Sequence, residues 1–253
     1  QLLGRPYDGP QDLAGDNAAE REGYMTGNRV FLYFQNTTEL STWPRANVSK
    51  WPNNTSGVKM LDGIGLLVGA KVHIEDDGDA ATVDTIPLHD WLDVLETPHH
   101  TLYYLQTAYR EEMDTDPTGL VEFGFAPVFG YFNETNEYPA MSNLPDSWPL
   151  NGWPSTGFQT KWVGEWDGRF GRGVIYADLE TYFVVNDAQD QEYLGFDDKV
   201  KYFPRPGKFI QDDATIQPGA PWGGLGLRVQ TRGFQWNNPQ ARDCIFWEYS
   251  SAN

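Results

Sequence analysis

The sequence predicts an all-β protein, an antiparallel β-sandwich with long aromatic, Pro/Gly-rich loops. Three observations lead there. Aromatic residues make up 15 % of the 253 residues, ten of them tryptophan, and large flat side chains favour pleated, half-buried surfaces. Twenty-six glycines and 17 prolines cut the chain into short runs, leaving strand-sized pieces between turn clusters. Several of those pieces alternate with period two, as a strand with one apolar and one wet face requires.

Taken in order, residues 1–28 are polar and turn-rich and read as an N-terminal arm that wraps a surface or stays mobile. Residues 29–253 read as the β-sandwich domain. Its first strand is Arg29 to Phe34, followed by a long polar loop, Asn36 to Gly57, with Asn-x-Ser/Thr triplets at Asn36, Asn47, Asn53 and Asn54. These triplets are glycosylation acceptors only in a eukaryotic secretory pathway. Met60 to Ile74, a strand or strand pair, and the strand Thr101 to Tyr109 come next, and VEFGFAPVFGYF is expected as two short strands broken at Pro127. Asn133 to Gly173 is a long loop with four prolines, four tryptophans and six glycines; a loop of that length is functional or packs through its own side chains.

The best-patterned strand runs from Ile175 to Val185. Its odd positions, Ile175, Ala177, Leu179, Thr181, Phe183 and Val185, are the expected core face, and Tyr176, Asp178, Glu180 and Tyr182 the wet one. Leu225 to Arg232 alternates likewise, Leu225, Leu227 and Val229 against Arg228, Gln230 and Arg232. Asp243 to Tyr249 has strand composition, but the chain stops soon after, with no closing turn or partner strand in view. An edge left that way is costly, so the 253 residues are expected to belong to a longer polypeptide. The lone cysteine, Cys244, precedes Ile245-Phe246-Trp247 and is expected to be a buried, inert thiol in that strand.

The formal net charge of −18 is spread along the chain. A field of that sign repels phosphate backbones and anionic lipid, so nucleic acid is not an expected partner. The longest apolar run, Ile64 to Ala70, is far short of the ~20 residues of a membrane span. The chain begins at Gln1 rather than Met, as it would after removal of a leader.

Acidity of this kind serves as a solubilising surface and also suits a saline environment or divalent cations, of which Ca²⁺ is the candidate cofactor. Asp114-Thr115-Asp116-Pro117-Thr118-Gly119, with Glu122 beyond, follows the start of an oxygen-only Ca²⁺ loop: Asp114, Asp116, Thr118 and Glu122 are the candidate ligands. The glutamate that would close such a loop is replaced by Phe125, and an ordinary Asx-type turn is the competing reading. Two further acidic groups have charge without the spacing: Glu75, Asp76, Asp77 and Asp79, and Asn186, Asp187, Asp190 and Glu192. The four histidines lack zinc-site spacing, and neither a G-x-S-x-G elbow nor a phosphate-binding glycine motif occurs. No catalytic residue is singled out.

Trp148, Trp153, Trp162 and Trp166 are the candidate ligand-binding residues. With Glu165 and Asp167 they would suit a sugar platform, since aromatic faces stack on pyranose rings and paired carboxylates serve glycoside hydrolysis. The alternative is that these tryptophans pin their own loop to the sheet. The expected function is a non-catalytic structural or assembly domain, binding other protein chains or the rest of its own polypeptide. A carbohydrate-binding module or glycoside hydrolase is the alternative, with a glycan as partner.

The segments RVFLYFQNTTELSTWP, LQTAYREEMDTDPTG, DGRFGRGVIYADLETYFVVNDAQDQEY and GLGLRVQTRGFQWNNPQARDCIFWEY resemble the N-terminal part of large, mostly uncharacterised secreted bacterial cell-surface proteins. Those are multi-domain β proteins, often sorted by a type IX C-terminal domain. The resemblance implies a secreted or cell-surface location and continuation into further β structure, and supplies no catalytic residues.

Overall fold

The structure, a computed structural model, describes residues 13–42, 45, 48–75, 99–107, 124–154, 162–168, 171–188, 199–201 and 225–252. These residues are nearly all β. Their strands are β1 (Glu22–Met25), β2 (Leu32–Gln35), β3 (Lys50–Trp51), β4 (Val58–Lys59), β5 (Leu67–Glu75), β6 (His99–Thr107), β7 (Ala126–Pro127), β8 (Asp167–Gly168), β9 (Gly171–Arg172), β10 (Leu179–Asn186), β11 (Lys199–Lys201), β12 (Arg228–Gln235) and β13 (Phe246–Ala252). The helical content among them is two single 3₁₀ turns, Asn17–Ala19 and Pro145–Ser147. All the pairings are antiparallel.

The main sheet has the order β13-β12-β10-β7, and β11-β5-β6 form a second. Hairpins β1–β2, β3–β4 and β8–β9 complete the set. β1 lies inside the segment expected as an arm: Ala19 and Met25 are fully buried, and the Gly15 N–H donates to Asn186 Oδ1 (2.7 Å) at the end of β10. A boundary at residue 28 therefore falls within the β1–β2 hairpin.

β10 and β12 of the main sheet are buried on both faces, and this corrects the expected wet faces. On one face Leu179, Phe183, Val185 and Val229 join Met25, Leu32 and Phe34 of the β1–β2 hairpin in an apolar cluster. On the other, Tyr182 and Val184 pack with Val128, Tyr131, Phe132, Trp153 and Trp166 from the loops. Every residue of β10 is consequently buried, Glu180 included at 1 % exposure. The strand also starts later than the pattern suggested. Ile175 and Tyr176 are exposed, because the amides of Tyr176 and Ala177 donate to the Glu180 carboxylate (2.7 and 3.0 Å) instead of to a neighbouring strand.

β12 is corrected in the same way. Arg228 and Arg232 were expected on a wet face and are buried. Arg228 donates to Tyr131 Oη (2.9 Å). Arg232 sits 3.9 Å over the ring of Tyr182, its direct cross-strand neighbour, and donates to the Asp167 carbonyl (2.9 Å). Contacts of this kind are what make a buried guanidinium tolerable.

β13 does have a partner: it pairs with β12 along its length, from Phe246↔Phe234 to Ala252↔Arg228. Gly233 permits this packing, since a Cβ there would lie 2.9 Å from Trp247. The Trp247 ring can therefore cross β12 to reach Phe34 (5.2 Å between centroids). Cys244 is exposed rather than buried. It precedes β13 in a turn, where its N–H donates to the Ala241 carbonyl and its own carbonyl accepts from Asn28 Nδ2.

Candidate functional site

The four loop tryptophans converge behind the main sheet. Trp153 and Trp166 are each 1 % exposed, while Trp148 and Trp162 are partly buried. Trp153 stacks on Tyr182 (5.8 Å) and meets Trp166 edge-on (5.4 Å), and Trp148 lies 5.9 Å from Trp166. Three of the indole N–H groups are turned to protein acceptors: Trp148 to the Met141 carbonyl, Trp153 to the Glu165 carbonyl (both 2.7 Å), and Trp166 to Glu180 Oε2 (2.8 Å). The faces of Trp153 and Trp166 are thus filled by neighbouring rings and offer no surface to a pyranose. The two nearby carboxylates have separate settings. Glu165 is half-buried in a bidentate pair with Arg172 across the β8–β9 hairpin (2.7 and 2.8 Å), and Asp167 is buried.

The expected Ca²⁺ loop, Asp114, Asp116, Thr118 and Glu122, lies outside the described residues, as do Asp76, Asp77, Asp79, Asp190 and Glu192. Of the third acidic group, Asn186 and Asp187 are described, and both are fully buried. Asp187 accepts from the amides of Leu225 (2.6 Å) and Leu227 (2.7 Å), and Asn186 bonds Leu13 and Gly15. These side chains tie the strand end to its neighbours. Among the described residues no three His, Cys, Asp or Glu side chains gather as a metal site would require.

A cleft that the sequence did not single out lies where β1 meets the 134–138 loop. It has a volume of about 670 Å³ and is lined by Glu20, Arg21, Glu22, Tyr24 and residues 134–138. Gly23 makes the junction possible: a side chain there would collide with the Phe34 ring and lie 2.8 Å from Pro139, so glycine lets that loop descend onto β1. Arg21 then fastens it. Its guanidinium donates to the carbonyls of Asn136 (2.9 Å) and Glu134 (3.1 Å) and lies over the Phe132 ring.

Two tyrosines stand at this cleft, Tyr24 at 37 % and Tyr138 at 38 % exposure. Tyr24 is braced by stacking on Phe31 (5.3 Å) and an edge contact with Tyr33 (5.6 Å). Arg45 pairs with Glu22 (2.7 Å) and lies over Tyr33. The Tyr138 hydroxyl is held above the usual tyrosine range, first by the neighbouring Glu137 charge and then by its hydrogen bond to that carboxylate. Tyr249, on β13, is pushed up to about 12 by burial.

Comparison of the chain with family models, curated proteins and solved structures returned no match.

Proposed function

We propose that this chain is a non-catalytic domain of a larger secreted or cell-surface protein, working in assembly or adhesion. The observation that supports this best is the edge of the main sheet. The loop tryptophans pack against β10 on the second face, whereas on β13 Phe246 is 48 % exposed and meets Trp236 edge-on. β13 carries a single charge, Glu248, and pairs with β12 on one side. Such a strand is a template for another strand, from the rest of the polypeptide or from a second chain. Burial of Trp153 and Trp166 inside their own loop favours this over a sugar platform.

Light scattering of the 253-residue chain tests the edge. Self-association is expected, and Phe246→Lys, which places charge on a strand with one partner among the described residues, should suppress it. A monodisperse monomer, unaffected by that substitution, would count against assembly through β13. A glycan array covers the alternative: saturable binding there would favour a carbohydrate-binding module.

A further inference from the structure

We propose that the Tyr24–Tyr138 cleft receives a cationic side chain, a lysine ammonium or arginine guanidinium, presented by a partner protein. Its volume of about 670 Å³ lies within the range of small-ligand sites, ~300–1,000 Å³. Two tyrosines more than a third exposed stand at it on supports from separate elements, one on a strand and one on a fastened loop. Solvent-facing rings at a concave polar site provide faces that attract cations.

The remaining lining selects the charge. Four acidic residues, Glu20, Glu22, Glu134 and Glu137, line it together with one basic residue, Arg21. That guanidinium is spent on four backbone carbonyls, those of Ala18, Glu20, Glu134 and Asn136. Arg45 offsets Glu22, whereas Glu134 and Glu137 are exposed on the loop. The cleft is therefore net negative within a chain of formal charge −18, which steers cations toward it and repels anions. A flexible alkyl stem carrying one charge can lie along a tyrosine face and place its head among the carboxylates.

This inference adds a ligand chemistry at a surface other than β13, so it stands or falls separately from the edge. The probe is a short peptide of alternating lysine and glycine, titrated calorimetrically against the intact chain, with its lysine-acetylated form as control. Saturable binding of the charged peptide is expected, at least tenfold weaker on acetylation. Tyr138→Ala should weaken it about two- to fivefold, the range of an exposed cation–π contact. Glu137→Gln should weaken it and flatten its salt dependence. Asp62→Asn, which removes an exposed carboxylate away from the cleft, should leave it unchanged. Unaltered melting temperatures would show that each variant is folded, as expected for changes at exposed positions. The proposal is overturned if the charged peptide does not saturate, if acetylation has no effect, or if Asp62→Asn weakens binding as much as Glu137→Gln. It is equally overturned if the cleft takes up a neutral oligosaccharide in place of the peptide.

Discussion

Glu180 is the sharpest test of the two-faced sheet. Seen from the sequence it is a wet-face carboxylate whose replacement costs under about 0.5 kcal/mol. In the structure it is 1 % exposed and holds three donors: the Trp166 indole N–H (2.8 Å) and the amides of Tyr176 (2.7 Å) and Ala177 (3.0 Å). Hydrogen bonds to a charged acceptor contribute about 1.5–3 kcal/mol each. Tyr176 is 60 % exposed, so its amide regains water when the carboxylate is removed; the Trp166 and Ala177 donors lie at 1 % and 7 % and do not. Glu180→Ala is therefore expected to cost about 3–5 kcal/mol, the same size as Phe183→Ala on the apolar face. The corresponding fall in melting temperature is roughly 10 °C for a chain of this length. Glu180→Gln keeps one acceptor but turns a second donor toward a donor, which costs about 2 kcal/mol. Denaturant titration measures all three as shifts in midpoint at constant slope. If Glu180→Ala lies within about 0.5 kcal/mol of the parent chain, as a surface substitution would, the carboxylate is not holding the tryptophan loop against the sheet.

Two further outcomes are expected. The buried Tyr249 hydroxyl has no hydrogen-bond partner among the described residues, so Tyr249→Phe should be neutral or stabilising, by about 1 kcal/mol in the same titration. Because burial raises its pKa from 10.0 to about 12, the folded state keeps this proton where the unfolded chain loses it. Stability is then full below pH 10 and falls by about 2–3 kcal/mol as pH rises toward 12. Tyr249→Phe should flatten that part of the alkaline limb, and an unchanged limb would refute the assignment. For the proposed Ca²⁺ loop, millimolar Ca²⁺ should raise the melting temperature by mass action on the folded state. Asp116→Asn should remove much of the rise; identical melts in Ca²⁺ and EDTA would leave the loop an ordinary turn.

The fold class was legible because period two and frequent turns report backbone geometry directly. Strands fall close to the expected segments Met60 to Ile74, Thr101 to Tyr109 and Leu225 to Arg232. Chain-distant pairing was not legible. Tyr24 and Tyr138 share a cleft only because Gly23 admits Pro139 and Arg21 reaches the carbonyls of Glu134 and Asn136, and none of these residues carries a motif. The exposure of Cys244 escaped for a similar reason, since the apolar run beside it concealed a turn held by Asn28.

The alternation itself was real and its meaning was misjudged. A period of two says that the faces of a strand differ; it does not say that one of them is wet. In β10 and β12 the difference separates an apolar core from a hydrogen-bonded, tryptophan-covered one, in which Tyr182 lies directly across from Arg232 and Glu180 meets Trp166. What could have signalled this is the Asn133 to Gly173 loop. Four tryptophans in one loop represent more apolar area than solvent exposure tolerates, so they need a surface to cover, and the nearest such surface is the polar face of the strand that follows. Once they cover it, each polar residue beneath needs a partner, and Glu180, Arg228 and Arg232 each have one. Strand polarity and loop aromaticity are then a single feature, and β10 is buried twice because the chain carries its own cover.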